Sequence, residues 1–121
     1  MTIVSWGAHL RVVQSAVIQA KKEFGVTIEV IDLRTVYPYD FEPIKASVAK
    51  TGRVIVTHEA PITSGLGAEI SAKITEECFL NLEAPIKRVC GLDTPFPHSN
   101  EPAYYPDRLK LFEAIRETLE Y

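Results

Sequence analysis

The sequence is poor in cysteine: Cys78 and Cys90 are the two cysteines among its 121 residues. Neither has a further cysteine or a histidine beside it at the short spacing of a metal site, so no zinc motif is indicated. Two cysteines are also too few for a disulfide-dense secreted scaffold. We interpret them as buried, reduced thiols, and a disulfide between them stays open as the alternative.

Long hydrophobic runs and an excess of positive charge are absent as well. The uninterrupted apolar runs are short, whereas a membrane-spanning helix needs roughly 20 apolar residues. The 13 basic residues are scattered among 16 acidic ones and leave a formal charge of −3, which provides no surface for nucleic acid or anionic lipid. We expect neither nucleic acid nor a membrane as a partner.

Length and composition favour one folded domain over residues 1–121. Hydrophobic residues make up 46% and charged residues 24% of the chain, as in soluble globular proteins, which argues against disorder. The segment Thr2–Val4 already has the character of a strand and lacks the features of a signal or transit peptide. We expect either a cytosolic protein or, because Met1 directly precedes a core strand, a domain of a longer chain.

Short β-branched runs alternate with amphipathic stretches along the chain. We predict strands at Thr2–Val4, Val26–Leu33, Val54–Thr57 and Ile86–Cys90, and helices at Leu10–Phe24, from an Asp40 N-cap to about Thr51, from Ser64 to about Phe79, and from about Pro106 to Tyr121. The proline-rich stretch Thr94–Pro106 is interpreted as an irregular loop. This alternation predicts an α/β fold, with a mostly parallel sheet covered by helices on both faces.

Gly65 and Gly67 lie between a predicted strand and a predicted helix, where backbone N–H groups and the helix dipole can bind a phosphate. Ile70 takes the third glycine position of the dinucleotide-binding pattern, and no lysine follows the glycines as in a P-loop. We favour close packing of the helix start against a neighbouring segment, with a nucleotide site as the less favoured alternative.

His58 and Glu59 follow a predicted central strand, at the end where ligands bind in open α/β sheets. A general acid or base is conceivable at this place. However, no serine or cysteine nucleophile lies in an obvious elbow beside them, and no second histidine stands at metal-ligand spacing. We therefore predict no catalytic residue, and expect this pair to hydrogen-bond loops or to contact another domain.

Aromatic residues are concentrated in the proline-rich loop. Phe96 and His98 are interleaved with prolines, and Tyr104 and Tyr105 follow directly on each other. Such a cluster is either the internal packing of a loop or an interface anchor, since tyrosine is enriched at anchors. The residues alone leave both interpretations open.

Five short motifs in one order give the chain a resemblance to a known family. They are Val4-Ser5-Trp6-Gly7, Glu29-Val30-Ile31-Asp32-Leu33-Arg34-Thr35, Lys50-Thr51-Gly52-Arg53, His58-Glu59-Ala60-Pro61 and Gly65-Leu66-Gly67-Ala68-Glu69-Ile70. With these motifs the chain resembles the carboxy-terminal domain of 2-oxoacid dehydrogenase beta subunits, a relative of the transketolase carboxy-terminal domain. The stretches Glu77–Ile86 and Asp93–His98 look more like the branched-chain (2-oxoisovalerate) type than the pyruvate type.

The resemblance implies a three-layer α/β/α domain with a mixed sheet of five strands, one of them antiparallel. It also implies a complete α2β2 enzyme that oxidatively decarboxylates branched-chain 2-oxoacids, with thiamine diphosphate and magnesium held between the alpha subunit and the amino-terminal domain of beta. That amino-terminal domain is absent from these residues, so we expect this domain to bind no cofactor or metal and to be inactive alone. The expected location is the mitochondrial matrix in a eukaryote and the cytoplasm in a bacterium.

In the resembled family this domain pairs beta subunits and docks onto the subunit-binding domain of the dihydrolipoyl acyltransferase. We name as candidate interface residues Gly65, Gly67, Phe96, His98, His58 and Glu59. For docking we name Tyr121, Glu120 and Glu117, because acidic groups at a helix carboxyl end favour a basic partner. A beta-subunit domain of the pyruvate type and an independent nucleotide or small-molecule-binding module remain the alternatives.

Overall fold

The computed structural model describes residues 1–121 as one parallel sheet between two layers of helices. The strands are β1 (Thr2–Ser5), β2 (Glu29–Asp32), β3 (Val54–Pro61) and β4 (Lys87–Gly91). The helices are α1 (Leu10–Phe24), α2 (Glu42–Thr51), α3 (Leu66–Cys78), the single turn α4 (Glu101–Tyr104) and α5 (Arg108–Glu120). Short 3-10 turns lie at Gly7–His9, Phe79–Asn81 and His98–Asn100.

The strand order is β2-β1-β3-β4, and every pairing is parallel. Side chains of successive strand residues point to opposite faces, so Ile3 enters the core under α1 and α5, whereas Val4 enters the core under α2 and α3. Both cores consist mainly of buried aliphatic side chains. The predicted α/β fold, with helices on both faces of the sheet, is confirmed.

The mixed five-stranded sheet that we expected is not what these residues form, since the sheet has four strands, all parallel. The long connections that could have held a fifth strand adopt other structures. Residues Phe79–Asn81 form a 3-10 turn, and the proline-rich loop contains the turn His98–Asn100 and α4. Proline lacks the N–H group that a strand ladder requires, so this loop is unsuited to strand formation.

Glycine ends two of the helices, whereas the N-cap of α2 lies one residue after the predicted position. Gly25 follows α1 in the left-handed conformation with φ of 66°, as predicted from its place after the periodic stretch. Asp40 is not the N-cap of α2, which is Phe41, but its carboxylate accepts a hydrogen bond from the Glu42 N–H at 3.1 Å. Asp40 therefore forms a turn just before the helix.

Because all four strands are parallel, they begin on one side of the sheet and end on the opposite side. We call the side where they end the carboxyl edge and the side where they begin the amino edge. α1 follows β1 on one face and α3 follows β3 on the other, so the topological switch point lies between the carboxyl ends of β1 and β3. α3 and α5 run back and end at the amino edge. None of the helices combines the length and hydrophobicity that crossing a membrane requires.

Candidate functional site

The switch point at the carboxyl edge is filled by two stacked rings of the protein itself. Trp6 and His58 each lie two residues beyond the register pair Val4 and Val56, so both side chains point to the same face as that pair. Their ring centroids are 5.1 Å apart with an interplanar angle of 26°. His58 is buried, with only 1% of its surface exposed. The place where an open α/β sheet usually binds a ligand is therefore closed by packing.

Gly65 and Gly67 form a cradle for the His58 ring. A Cβ atom at Gly67 would lie 2.6 Å from His58 Nε2, and one at Gly65 would lie 2.6 Å from His58 Cε1 and 2.5 Å from the Pro61 carbonyl oxygen. Such distances are far shorter than van der Waals contact. The two glycines thus let the start of α3 approach β3, which is the close packing that we favoured, and His58 takes the space beside the first helical N–H groups.

His58 lies beside a thiol, but the ring nitrogen that faces this thiol already accepts a backbone hydrogen bond. Its Nε2 accepts a hydrogen bond from the Gly67 N–H at 3.2 Å and lies 3.3 Å from Cys90 Sγ, while its Nδ1 has no hydrogen-bond partner. Burial lowers the pKa of His58, an effect that the backbone of Ala60 partly opposes. Burial also raises the pKa of the Cys90 thiol to about 11. Both groups are thus neutral at neutral pH, and the pair lacks the thiolate that nucleophilic attack requires.

A second buried histidine, His9, lies at the same edge and hydrogen-bonds to β3. His9 Nε2 lies 2.8 Å from Thr57 Oγ1, and that hydroxyl donates to the Val89 carbonyl oxygen at 2.7 Å. Because the single hydroxyl proton of Thr57 is used for Val89, His9 must donate from Nε2. Burial and the nearby charge of His58 lower the pKa of His9 to about 4.

The aromatic loop cluster lies beside this edge. Phe96 contacts the rings of His98 and Tyr104 edge-on, each at 5.3 Å, and Tyr105 at 5.9 Å. A Cβ at Gly91 would lie 2.9 Å from Tyr104 Cε1, so that glycine lets the loop pack closely on β4. Phe96 keeps 41% of its surface exposed. The cluster is thus internally packed and also presents an aromatic ring to the surface.

Glu59 is exposed next to His58, and its charge contributes to the raised pKa of Tyr105, whose largest cause is burial, followed by the charge of Glu101. The structure thus brings Gly65, Gly67 and His58 into direct contact and places the Phe96 cluster at the same edge of the sheet. Sequence reasoning did not place Trp6, Cys90 or His9 at this site. The register between β1 and β3 would have paired Trp6 with His58, but that register depends on residues far apart in the chain.

The residues named for docking lie at the opposite, amino edge. Each acidic side chain of α5 already has a basic partner: Glu113 and Glu120 pair with Arg116, and Glu117 pairs with Lys87. The pKa of Glu117 is lowered, first by its hydrogen bond with Lys87. The terminal carboxylate of Tyr121 forms no ion pair within the chain, so the free negative charge here is the carboxy terminus.

Sequence reasoning also missed an exposed apolar surface beside Tyr121. We call it the amino-edge patch and define it by Phe79, Leu80 and Tyr121, which expose 66%, 96% and 75% of their surfaces, together with Leu82 and Pro85 between them. These residues line a surface depression of about 520 Å³.

The family model described as "Transketolase, C-terminal domain" matches residues 1–110 of the chain. The chain belongs to the transketolase C-terminal domain family. Relatives of this domain include the mitochondrial 2-oxoisovalerate dehydrogenase subunit beta of Dictyostelium discoideum, 56% identical over 121 residues, and the mitochondrial subunit beta 2 of Arabidopsis thaliana, 53% identical over 121 residues. Both matches cover 100% of this chain. The resemblance inferred from the five motifs is therefore confirmed.

A relative of the other type is also similar. The pyruvate dehydrogenase E1 component subunit beta of Leifsonia xyli subsp. xyli is 42% identical over 121 residues, with 99% of this chain covered. The transketolase C-terminal domain described here spans about a third of the length of these relatives: 33% of the Dictyostelium protein, 34% of the Arabidopsis protein and 36% of the Leifsonia protein.

The residues of this domain do not fit thiamine diphosphate with its magnesium ion. Magnesium requires oxygen ligands in near-octahedral geometry, usually from carboxylates together with phosphate groups. No group of three or more histidine, cysteine, aspartate or glutamate side chains lies close enough to hold a metal ion. Carboxylates at the carboxyl edge include Glu59, Asp32 and Asp93, but they form no such group, and the Gly67 N–H that would face a phosphate is bonded to His58. No cofactor step is assigned to these residues.

Proposed function

We propose that this chain is the carboxy-terminal domain of the beta subunit of a branched-chain 2-oxoacid dehydrogenase, and that the domain serves assembly and docking. The observation that carries the proposal is the end-to-end match to 2-oxoisovalerate dehydrogenase beta subunits at 56% and 53% identity. The complete enzyme would be an acyl-transferring oxidoreductase that decarboxylates the 2-oxoacids of valine, leucine and isoleucine and passes the acyl group to lipoyl. Thiamine diphosphate and magnesium would be bound elsewhere in it.

A role in assembly fits the closed carboxyl edge. The switch point is filled by the Trp6–His58 stack, and the Cys90 thiol beside it is protonated at neutral pH, so this place offers neither an open ligand site nor a thiolate nucleophile. We expect the isolated domain to show no 2-oxoacid decarboxylation and no micromolar binding of thiamine diphosphate. Calorimetry with the cofactor and a decarboxylation assay on the 121-residue chain test this, and turnover by the chain alone would contradict it.

The partners of the proposed subunit are an alpha subunit and a second beta subunit in an α2β2 enzyme. Expression of the complete beta subunit that contains these residues, together with its alpha subunit, allows a direct test. We expect 3-methyl-2-oxobutanoate to be decarboxylated at a higher kcat/KM than pyruvate. The 42% identity to a pyruvate dehydrogenase beta subunit makes the pyruvate type the second candidate, and a preference for pyruvate would select it. The location would be the mitochondrial matrix in a eukaryote and the cytoplasm in a bacterium.

For the acyltransferase we propose docking of its small basic subunit-binding domain at the carboxy terminus. Glu117 and Glu120 are exposed but paired with Lys87 and Arg116, so they can contribute only by exchanging these partners. The unpaired charge is the carboxylate of Tyr121, whose ring lies on the amino-edge patch and offers an apolar anchor. Exposed charges of this kind act mainly on association rate and salt dependence.

A titration of the subunit-binding domain with the chain tests the docking proposal. We expect weaker binding after deletion of Tyr121 or amidation of its carboxylate, and a further loss in added salt. Unchanged affinity at both low and high salt would remove the carboxy terminus from the docking site. The candidate interface residues His58, Glu59, Gly65, Gly67, Phe96 and His98 remain proposed contacts of the same kind, toward the other domains of the enzyme.

A further inference from the structure

The aromatic loop cluster beside the carboxyl edge presents two of its rings to the surface. Phe96 keeps 41% of its surface exposed, and its ring centroid lies 5.9 Å from that of the partly exposed Tyr105. The buried Tyr104 ring contacts both of them edge-on, at centroid distances of 5.3 Å and 5.4 Å. Such edge-to-face contacts fix the orientation of the rings. Phe96 and Tyr105 therefore form an aromatic surface that is supported from within the protein.

Two carboxylates flank these rings. Glu59 on β3 and Glu101 at the start of α4 are both exposed. Burial is the largest cause of the raised pKa of Tyr105, and the charges of Glu101 and then Glu59 raise it further. Glu59 is brought to the loop through Gly91, where a Cβ atom would clash with the Glu59 carbonyl oxygen and with the Tyr104 ring. Residues from β3 and from the loop thus meet at one surface.

The negative charge of these two carboxylates is not neutralised within the chain. Neither Glu59 nor Glu101 forms an ion pair, whereas every glutamate of α5 has a basic partner. Lys110, which follows the loop, donates to the Ala103 carbonyl oxygen at 3.4 Å rather than to a carboxylate. Exposed rings and free negative charges therefore lie together. We call this the aromatic–acidic surface and define it by Glu59, Phe96, Glu101 and Tyr105.

A guanidinium group is the chemical complement of such a surface. Cations are attracted to the faces of aromatic rings, and the guanidinium of arginine, which is planar and weakly hydrated, also stacks on them. Its fork of N–H donors matches the oxygens of carboxylates. A lysine ammonium is compact and strongly hydrated, so it supplies the charge but not the stacking. The combination of rings and carboxylates therefore favours arginine over lysine.

We propose that the aromatic–acidic surface binds an arginine side chain from a segment of a partner protein. The guanidinium lies on the exposed rings of Phe96 and Tyr105, and its N–H groups donate to the carboxylates of Glu59 and Glu101. Under the proposed function, on which this inference rests for the identity of the partner, that segment belongs to the part of the complete enzyme that lies outside these residues.

An NMR titration of the isotope-labelled 121-residue chain with N-acetylarginine methylamide tests the proposal. We expect shifts confined to the amides of the aromatic–acidic surface and its neighbours, with a dissociation constant on the order of 10 mM for a single side chain. N-acetylcitrulline methylamide has nearly the same shape without the charge and should bind at least about fivefold more weakly. The corresponding lysine compound should also bind more weakly, because its ammonium does not stack. Equal shifts with the arginine and citrulline compounds, or with the arginine and lysine compounds, would overturn the arginine site.

Variants of the surface supply the second measurement. The double variant Glu59→Gln with Glu101→Gln should weaken binding of the arginine compound about fivefold or more at low salt, and Phe96→Leu should weaken it severalfold. Glu42→Gln is the matched control, because Glu42 is exposed at the start of α2 and forms no ion pair. Circular dichroism verifies that each variant folds. Binding that survives the double variant, or that falls equally in Glu42→Gln, would overturn the site. Because the titration uses this chain alone, such a failure leaves the proposed dehydrogenase function to be decided by the decarboxylation assay.

Discussion

The carboxyl edge and the amino edge of the sheet differ in how far their apolar side chains are exposed to solvent. At the carboxyl edge Trp6 and His58 stack, Gly67 donates to the buried ring, and the loop cluster around Phe96 packs alongside. At the amino edge Leu80 and Tyr121 expose 96% and 75% of their surfaces. The edge at which open α/β sheets usually bind ligands is closed, whereas the edge that is usually inert offers an apolar surface. The exposed apolar surface of this domain therefore lies away from the strand ends at which ligands usually bind.

If buried, neutral histidines hold the carboxyl edge together, then acid should destabilise the fold. The pKa of His9 is about 4 in the folded chain, below its ordinary value of 6.5, so the unfolded chain binds a proton first as pH falls. The contribution of neutral His9 is complete above pH 6.5 and is lost between pH 6.5 and pH 4. The loss in unfolding free energy should be on the order of 3 kcal/mol, and the lowered pKa of His58 acts in the same direction.

Urea unfolding at a series of pH values measures this loss. His9→Gln keeps a donor for Thr57 but removes the titration, and should flatten the slope between pH 6.5 and pH 4. His98→Gln is the control, because His98 is exposed and makes only an edge contact with Phe96. A slope that persists in His9→Gln would assign the acid sensitivity to groups outside the carboxyl edge.

A smaller loss is expected when the glycine cradle is filled. Gly67→Ala would place a methyl group 2.6 Å from His58 Nε2 and should lower the unfolding free energy by about 2 kcal/mol, despite the better helix propensity of alanine. The matched control is the double variant with His58→Ala, in which the clash is absent. A Gly67→Ala variant that is as stable as the parent chain would mean that His58 moves aside freely, and the edge would not be sealed.

The stacked tryptophan should matter less, because Trp6 is only half-buried. We expect Trp6→Leu to lower the unfolding free energy by roughly 1 to 2 kcal/mol, through lost ring contact with His58, and Trp6→Phe to retain most of that stability. Thermal unfolding followed by circular dichroism separates the two variants. Equal stability of the leucine and phenylalanine variants would show that apolar area, rather than stacking, holds His58.

The smallest effect on stability is expected at the amino edge. Deletion of Tyr121 should change the unfolding free energy by no more than about 0.5 kcal/mol, because its side chain is mostly exposed and follows the end of α5. A loss of 2 kcal/mol or more in a denaturant titration would make Tyr121 a part of the fold rather than a surface group. The contrast between the two edges would then disappear.

Elements that depend on local spacing could be predicted from the sequence. α1 has the predicted bounds Leu10–Phe24, since its apolar residues recur at three and four positions and Gly25 follows. β2 is shorter than predicted, because Val26 and Ile28 pack on the α1 and α5 core without joining the ladder. β3 is longer and reaches Pro61, which pairs with Gly91 after a bulge. Such pairing depends on a partner far away in the chain, which no local pattern reveals.

The same limit applies to the site. His58, Gly65 and Gly67 could be singled out by their place after a central strand, but the contact between ring and glycines requires the loop between them to fold back. The stack with Trp6 requires the register between β1 and β3. The exposure of Leu80 could not be derived from its hydrophobicity, which predicts burial. An exposed apolar surface breaks the patterns on which sequence reasoning depends.

The strand order leaves β2 and β4 with one unpaired side each, and this has a consequence for solubility. An open strand edge is a template for uncontrolled association between molecules. β2 is only four residues long and has an acidic residue at each end, Glu29 and Asp32, and β4 begins with Lys87 and Arg88. Charged side chains on a short outer strand disfavour its pairing with a strand of another molecule. We therefore expect these residues to oppose aggregation, so that the chain can leave one side of β2 and one side of β4 unpaired.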